Sequence, residues 1–264
     1  MSPKAQGQHS DHLPPRKGAR SAKVRLDLIL VERGLAPSRE RAQALLLLGH
    51  VRVNGVPATK AGTRVASDAR IELIGTPLRY VSRGGLKLEG ALEDFGVNVQ
   101  GRICLDAGSS NGGFTDCLLQ SGARKVYAVD VTIDQLAWKL RQDSRVVPLE
   151  RNARYLQRAD IREAVDLIVV DLSFISVCKV LPALVPLATP AADFLILIKP
   201  QFELERREVG RGGIVREPAL HQKSIERVTR AAIEAGLEMV GVRASRVAGA
   251  EGNQEFFLHA RRRE

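Results

Sequence analysis

Residues 103–114 read Ile-Cys-Leu-Asp-Ala-Gly-Ser-Ser-Asn-Gly-Gly-Phe, an apolar run that passes through one acid into a glycine loop. The run predicts a buried strand, and the loop predicts a tight turn into a helix. Gly108, Gly112 and Gly113 would let a ligand approach the backbone, while free N–H groups at the helix start would meet its polar atoms. The stretch therefore predicts a nucleotide-like ligand held by a strand, a loop and a helix. Plain turn formation is the alternative for the three glycines.

Apolar strands and amphipathic helices alternate beyond this stretch. Five segments are predicted strands: Ile103 to Ala107, Lys125 to Asp130, Val146 to Leu149, Leu167 to Asp171 and Phe194 to Lys199. Such alternation predicts an α/β fold, with a mostly parallel sheet covered by helices on both faces. A long helix is predicted over 217–235, followed by strands near 239–242 and 255–259. Because only the turn-rich stretch 249–253 joins the last two strands, the final strand is predicted to be antiparallel.

Four polar residues end the predicted strands: Asp106, Asp130, Asp171 and Lys199. Ligands of open α/β sheets bind at the carboxyl ends of the strands. Asp130 lies 22 positions after Gly108, and its two carboxylate oxygens suit two ribose hydroxyls. An NAD enzyme would carry Gly-x-Gly-x-x-Gly, whereas this loop is Gly-x-x-x-Gly-Gly, and no second nucleotide-binding half is visible. The residues therefore favour S-adenosylmethionine over NAD.

The predicted cofactor contacts come from this loop and the strand ends: Asp106, Gly108, Ser109, Ser110, Gly112, Gly113, Phe114 and Asp130. Asn152, just after the third strand, could approach the adenine. A capping or turn role suits Asn152 equally well.

The chain is strongly basic. Its 264 residues include 40 Lys and Arg against 30 Asp and Glu, a net charge of +10, with 44% hydrophobic and 4% aromatic residues. This composition predicts a globular protein with an aliphatic core and favours a polyanionic partner, although a solvated basic surface would have the same charge. The three cysteines lack zinc or disulfide spacing, so reduced thiols, no metal site and a cytoplasmic location are predicted. No signal peptide or apolar stretch long enough to cross a membrane is visible.

Four regions follow one another along the chain. Residues 1–22 predict a disordered basic tail, 23–77 a small α+β domain, 78–88 a linker and 89–264 the large α/β domain. The segment from Lys23 to Arg70 contains nine basic residues and four acidic ones, so the small domain has a local excess of positive charge.

The small domain resembles the alpha-L RNA-binding domain, which is shared by a small-subunit ribosomal protein, pseudouridine synthases and some RNA methyltransferases. Three motifs carry this resemblance: Arg25-Leu26-Asp27, Ser38-Arg39-Glu40-Arg41-Ala42 and Gly49-His50-Val51-Arg52-Val53-Asn54-Gly55. In that domain the second helix and the adjoining strand turn face the RNA. The RNA contacts expected here, including one in the linker and one in the large domain, are Arg25, Arg39, Arg41, Arg52, Arg83 and Arg211. Arginines on a helix surface without a partner are the alternative.

From about residue 24 onward, the chain resembles the TlyA family of ribosomal RNA 2′-O-ribose methyltransferases, also labelled hemolysins. The motifs are Ser82-Arg83-Gly84-Gly85-Leu86-Lys87-Leu88, the glycine loop through Asp116, Asp171-Leu172-Ser173-Phe174, Ile198-Lys199-Pro200-Gln201-Phe202-Glu203 and Gly252-Asn253-Gln254-Glu255-Phe256. The resemblance implies a Rossmann-like, seven-stranded, S-adenosylmethionine-dependent domain of the FtsJ class. It further implies methylation of ribosomal RNA or ribosomal subunits, at cytidine, with no obligate protein partner.

The Lys-Asp-Lys-Glu tetrad of that class falls on Lys87, Asp171, Lys199 and Glu255. A ribose hydroxyl needs to lose its proton to become a good nucleophile, and a neutral lysine can accept that proton. We therefore expect Lys199 to be the general base and Lys87 a positioning donor, with the two acids orienting the lysines. Helix capping by Asp171, an exposed strand position for Glu255 and surface ion pairs for the lysines are the alternatives.

Three other functions compete with this prediction. A pseudouridine synthase shares the small domain and uses an Arg-Leu-Asp motif, which here is residues 25–27 of the small domain itself. A noncatalytic RNA-binding protein would bind RNA without transferring a methyl group. A membrane-active hemolysin would need an amphipathic or apolar membrane segment, for which the sequence gives little support. The glycine–arginine stretch 209–216 either clamps the RNA or is a surface connection.

Overall fold

The computed structural model describes residues 23–36, 38–47, 49–74, 79–249 and 252–263. The chain divides into two compact units, Met1–Thr76 and Pro77–Glu264. The basic tail predicted at residues 1–22 lies outside the described residues. Within the described part, no helix is both long and apolar enough to cross a membrane.

The first unit combines two helices with short antiparallel strands. Its elements are β1 (Lys23–Arg25), α1 (Leu26–Glu32), α2 (Arg39–Leu47), β2 (Val51–Val53), β3 (Val56–Pro57), β4 (Arg64–Ala66) and β5 (Ile71–Leu73). Apolar residues at helical spacing, such as Leu26 and Leu30 on α1 and Ala42 and Leu46 on α2, form its core with Val51. The strands order as β3-β2-β5 and β1-β4.

A hairpin lies at the Asn-Gly pair that ends the third motif of the small domain. Asn54 and Gly55 join β2 to β3 with φ angles of 51° and 81°. An Asn-Gly pair suits such a turn because both residues tolerate positive φ.

The second unit is a sheet covered by helices. Its elements are α3 (Gly84–Phe95), β6 (Ile103–Ala107), α4 (Gly113–Gln120), β7 (Lys125–Asp130), α5 (Trp138–Arg141), β8 (Val146–Glu150), β9 (Val165–Val170), α6 (Leu181–Leu184), β10 (Ala188–Ile198), α7 (Pro200–Glu203), α8 (Pro218–Glu234), β11 (Leu237–Ala244) and β12 (Phe256–Arg262). The seven strands order as β11-β12-β10-β9-β6-β7-β8. Strands β6 to β10 pair in parallel, and β12 pairs antiparallel with both β10 and β11. The predicted α/β fold class and antiparallel last strand are thus confirmed.

The central strands are buried on both faces of this sheet. Along β6, Leu105 and Ala107 contribute to one core cluster, while Cys104 contributes to the other. Successive side chains of a strand point to opposite faces, so a strand covered by helices on both sides is apolar throughout. This geometry explains why the strands of the large domain were visible in the sequence.

Helix α3 begins within the stretch that the sequence predicted as a linker, residues 78–88. Leu88, Ala91 and Leu92 are buried at helical spacing and pack into the core of the second unit. Packing of this apolar face outweighs the low helix propensity of Gly84 and Gly85.

Candidate active site

The glycine loop has a backbone that favours glycine. Gly108 and Gly112 both have φ of +94°, and Ser110 has φ of +48°. A Cβ atom at Gly108 would overlap the backbone oxygen of Asp171, and one at Gly113 would overlap Ser82. The two glycines therefore bring three chain segments close together, in addition to opening the loop.

Two carboxylates hold this loop. Asp130 accepts a hydrogen bond from the Ser110 amide (2.8 Å), and Asp106 accepts one from the Thr115 hydroxyl (2.6 Å). Asp106 is fully buried, and this burial raises its pKa to about 7. The hydrogen bond from Thr115 acts against the rise, and the nearby negative charge of Asp171 adds to it.

Two polar atoms beside the loop are buried without a hydrogen-bond partner in the described chain. They are Oδ1 of Asp106 and Oγ of Ser109. Buried polar groups in proteins are nearly always paired, so these atoms are suited to a polar ligand. Together with the open glycine backbone, they fit the amino-acid and sugar groups of S-adenosylmethionine.

The predicted tetrad forms two lysine–carboxylate pairs. Lys87 Nζ lies 2.5 Å from Glu255 Oε2, and Lys199 Nζ lies 2.6 Å from Asp171 Oδ1. Lys199 also donates to the Ser173 hydroxyl at 2.8 Å. Each pair joins residues that are distant along the chain, with Lys87 on α3 and Glu255 just before β12.

A cavity of about 270 Å³ links these pairs to the glycine loop. Three tetrad members line it, namely Lys87, Asp171 and Lys199. The other predicted residues in its wall are Arg83, Gly108, Ser109, Ser110, Gly113 and Phe114. Three of the four predicted catalytic residues and five of the nine predicted cofactor residues therefore meet at one place, the carboxyl edge of the parallel strands.

The remaining predicted residues lie behind this wall or away from it. Glu255 is buried beneath Lys87, and Asp106 lies below the loop. A side chain at Gly112 would meet Leu136 and Leu140. Asn152 caps a short 3-10 turn by accepting the Arg154 amide at 3.0 Å, which is the alternative role considered for it.

The structure adds wall residues that the sequence analysis did not single out as sites. Ser82 and Asn111 line the cavity, and Ser173 both lines it and binds Lys199. Phe174 lies outside this wall; it is 92% exposed with φ of +65°, a conformation that is uncommon for a bulky residue. All four residues lie within motifs quoted in the sequence analysis, and membership of a motif was the only signal for them.

The segment before α3 is held firmly against α4. The Val81 amide donates to the buried carboxylate of Asp116 (2.8 Å), which also binds Lys139 at 3.0 Å. A Cβ atom at Gly85 would overlap the buried ring of Tyr80. These contacts place Arg83 and Lys87 relative to the glycine loop.

The stretch 209–216 is connected to the segment that carries Glu255. Asn253 accepts from the Val215 amide at 2.8 Å and donates to the Gly213 carbonyl at 2.9 Å. The side chain of Arg211 lies outside the described part, so its predicted RNA contact stays a prediction.

The arginines predicted to bind RNA in the first unit have different surroundings. Arg25 and Arg39 each lie 2.9 Å from Asp27, whose carboxylate is completely buried. The hydrogen bond from Arg25 holds the pKa of Asp27 well below its usual range. Burial acts in the opposite direction, and the bond from Arg39 adds to the lowering. Arg52 is exposed on β2. The side chain of Arg41 lies outside the described part.

The family comparison decides the class of the second unit. The model of the FtsJ-like methyltransferase family matches residues 80–262, and the model of the S4 domain matches residues 24–71. The chain belongs to the FtsJ-like methyltransferase family. The FtsJ-like domain therefore includes α3 and both lysine–carboxylate pairs, and the chain is a methyltransferase with an S4 domain before its catalytic domain.

Curated relatives extend over both domains. The 16S/23S rRNA (cytidine-2′-O)-methyltransferase TlyA of Mycobacterium tuberculosis is 51% identical over 90% of this chain and 90% of its own length. Hemolysin A of Brachyspira hyodysenteriae is 41% identical over 89% of this chain and 99% of its own length. The predicted TlyA resemblance is confirmed.

A solved structure shares the fold. A Streptococcus thermophilus protein described as a candidate hemolysin is 41% identical, with a TM-score of 0.73, and the match covers 93% of this chain and 90% of that one. The FtsJ-like domain thus has the seven-stranded methyltransferase fold predicted from the sequence.

Proposed function

We propose that this chain transfers a methyl group from S-adenosylmethionine to a ribose 2′-oxygen of ribosomal RNA, at cytidine. The observation that carries the proposal is the meeting of two lysine–carboxylate pairs with the glycine loop at one cavity. The name of the M. tuberculosis relative supports the substrate, and the S4 domain supports an RNA partner. A ribosomal RNA substrate implies a reaction in the cytoplasm.

The residues around the glycine loop would hold the cofactor. Asp106 and Ser109 offer unpaired polar atoms, and the second carboxylate oxygen of Asp130 is only weakly engaged, 3.5 Å from the Thr132 amide. When bound, S-adenosylmethionine supplies a methyl group activated by a positive sulfur. The chain itself holds the polar ends of the ligand and orients its sugar.

The lysine pairs would act on the ribose. In its neutral form, Lys199 accepts the proton of the 2′-hydroxyl, and Asp171 and Ser173 fix the position of its Nζ atom. Lys87, held by buried Glu255, donates to the reacting oxygen or its neighbour and stabilises the developing charge. Alignment in a confined cavity accounts for much of the expected acceleration.

The competing predictions find less support in the geometry. A pseudouridine synthase needs a free aspartate nucleophile, whereas Asp27 of the Arg-Leu-Asp motif is fully buried and bound by Arg25, Arg39 and Gln43. A noncatalytic RNA-binding protein would have no use for one buried and one partly buried ion pair at the cofactor loop, since burying charges costs free energy.

Methyl transfer to purified ribosomal subunits tests the proposal. Wild type should produce nuclease-resistant 2′-O-methyl links, and Lys199→Ala should lower the rate about 100-fold to 10,000-fold. Lys199→Arg keeps the charge but cannot accept a proton, so it should be nearly as inactive as Lys199→Ala. Lys223→Ala, which removes a lysine from the exposed pair with Glu208, is the control and should keep full activity.

Three results would contradict the proposal, and a fourth would reveal a separate activity. Methylation of a base atom would exclude the ribose mechanism. Substantial activity of Lys199→Arg would show that Lys199 supplies charge and is not the base. Tight RNA binding by wild type without any methyl transfer would favour the noncatalytic alternative. Membrane lysis that is unchanged in Lys199→Ala would point to a hemolysin activity separate from methyl transfer.

A further inference from the structure

A second cavity lies beside the first on the FtsJ-like domain. Its volume is about 450 Å³, and its wall consists of parts of segments 174–179 and 201–209 together with Arg227. Ser173 and Lys199 line the first cavity, whereas Phe174 and Gln201 line the second. Because the same two chain segments pass from one cavity to the other, the two cavities are neighbours. We call the second one the flanking groove.

The flanking groove is positively charged. Lys179, Arg206 and Arg227 line it, and its described wall contains no acid. Lys179 and Arg206 are exposed and form no ion pair within the described residues. Arg227 donates only to the backbone oxygen of Glu203, at 2.7 Å. Unpaired cations around a concave surface attract an anionic ligand.

Buried hydrogen bonds hold the groove in shape. The side chain of Glu203, which is 3% exposed, accepts from the Ser176 hydroxyl at 2.5 Å and from the Val177 amide at 2.8 Å. These bonds fix the turn that ends at Lys179 against α7. A groove whose segments are already fixed loses little entropy when it binds a ligand.

Gln201 gives the groove a polar group that lacks a partner. Its Oε1 atom is buried and accepts no hydrogen bond in the described chain. A hydroxyl or amino group of a bound ligand would satisfy this acceptor. The rings of Phe174 and Phe202, with centroids 5.3 Å apart, supply an apolar wall next to it.

We propose that the flanking groove binds the RNA nucleotide next to the methylated one. Lys179 and Arg206 contact its phosphates, and Gln201 accepts a hydrogen bond from its ribose 2′-hydroxyl. The groove volume lies within the range of about 300 to 1,000 Å³ that is usual for small-molecule sites, and phosphate contacts of this kind position the strand without reading its sequence. This inference rests on the proposed function, since it places the neighbouring nucleotide while the target ribose occupies the first cavity.

The test compares two double variants in the full-length protein. The groove variant, Lys179→Ala/Arg206→Ala, removes the free cations of the groove. The control variant, Arg124→Ala/Arg162→Ala, removes two exposed arginines that precede β7 and β9, at the amino ends of the parallel strands. Both variants lower the net charge by the same amount. Methyl transfer to ribosomal subunits is measured with S-adenosylmethionine saturating, and the thermal unfolding midpoint of each variant is recorded.

The groove variant should raise the KM for RNA about 10-fold to 100-fold with little change in kcat. Two lost phosphate contacts should also reduce the slope of log affinity against log salt by about 1.4 to 1.8. The control variant should match wild type in both measurements, and neither variant should unfold earlier. Equal KM and salt slope for the two double variants would overturn the groove assignment alone. If wild type transfers no methyl group to ribosomal RNA, the proposed function and the groove assignment both fail.

The ribose contact has a separate readout. RNA and DNA oligonucleotides of the same flanking sequence compete against the subunits for wild type and for Gln201→Leu. Wild type should bind the RNA competitor more tightly, because only RNA carries a 2′-hydroxyl, and Gln201→Leu should lose part of that preference. An unchanged RNA preference in Gln201→Leu would remove Gln201 from the proposal.

Discussion

At the scale of single residues, the ion pair of Lys87 and Glu255 positions Lys87 beside the cavity. It also makes the free energy of unfolding sensitive to the loss of either partner. Only 11% and 3% of the two side chains are exposed, so neither charge is well hydrated without the other. Replacing Glu255 by Gln should lower the free energy of unfolding by about 3 kcal/mol, because it leaves the Lys87 charge buried and uncompensated. Adding Lys87→Met should restore most of this loss. Urea denaturation followed by the fluorescence of Trp138, the single tryptophan, measures both effects in the domain that contains the pair.

The double variant tests whether the uncompensated charge of Lys87 causes the loss of stability. If Glu255→Gln/Lys87→Met is no more stable than Glu255→Gln alone, the buried charge is not the cause. Neither variant should transfer methyl groups at a wild-type rate, since the first removes the carboxylate that holds Lys87 and the second also removes Lys87, which lines the cavity.

A second residue-scale prediction separates backbone strain from close contact. Gly108 and Gly96 both have positive φ, but only Gly108 has atoms of another segment where a Cβ would lie. Gly96→Ala should therefore cost only about 1 kcal/mol of unfolding free energy, from the unfavourable φ. Gly108→Ala should cost about 3 kcal/mol or more, because the backbone of Asp171 would have to move as well. Equal losses in urea denaturation would show that φ alone sets the cost.

At the scale of elements, the last strand is anchored by one buried acid. Asp193 on β10 accepts from His259 (2.7 Å) and from Arg261 (3.0 Å), both on β12, and from Arg102 (2.6 Å). Burial alone would raise the pKa of Asp193, but the bonds from His259, Arg102 and Arg261 outweigh it and hold the pKa below its ordinary value. The cluster therefore ties β12 to its neighbour on the sheet.

This anchor should give the fold an acid-sensitive component. A carboxyl whose pKa is lower in the folded state stabilises the fold above its unfolded pKa of about 4 and loses that effect as the pH falls. Asp193→Asn should cost about 2 to 4 kcal/mol of unfolding free energy at pH 7, and the difference from wild type should shrink below about pH 4. Urea denaturation at pH 7 and pH 3.5 measures it. A difference that is the same at both pH values would exclude the carboxylate as its origin.

The elements also show what the sequence could and could not predict. Strands β6 and β7 were predicted with their observed bounds, because a strand buried on both faces is apolar throughout. Strand β10 begins at Ala188, six residues before its predicted start, since polar Asp193 and proline Pro190 obscured its first half. Asp193 is buried only because partners from other strands neutralise it, and those partners cannot be read from local sequence.

In the candidate site too, the sequence predicted some features and not others. The residues of the tetrad followed from the family motifs, but their arrangement in two pairs did not, because Lys87 and Glu255 are separated by 168 positions. In the sequence, Asn152 fitted a ligand and a turn role equally well, whereas Arg25 was predicted to contact RNA. The structure shows a turn cap for one and a bond to buried Asp27 for the other.

At the scale of the whole molecule, charge should govern RNA binding more than cofactor binding. The chain carries a net charge of +10, and exposed arginines such as Arg52 belong to the S4 domain. If six or more phosphates are contacted, raising the salt from 50 to 200 mM should lower the affinity for ribosomal RNA about 1,000-fold. The affinity for S-adenosylmethionine should change little, because its proposed partners, such as Asp106 and Ser109, are buried. Filter binding and calorimetry at both salt concentrations test this contrast, and parallel losses would contradict it.

Strand β12 lies between β10 and β11, so the sheet can be completed only after the last strand has been synthesised. A ribosome that has just made Lys87 must add 168 further residues before its partner Glu255 exists. At bacterial elongation speeds this takes roughly 10 to 30 s. During that interval the S4 domain can already have folded, while the edge of β10 lacks β12 and Lys87 lacks the carboxylate of Glu255. The nascent chain can therefore gain its RNA-binding surface well before it can gain catalytic activity.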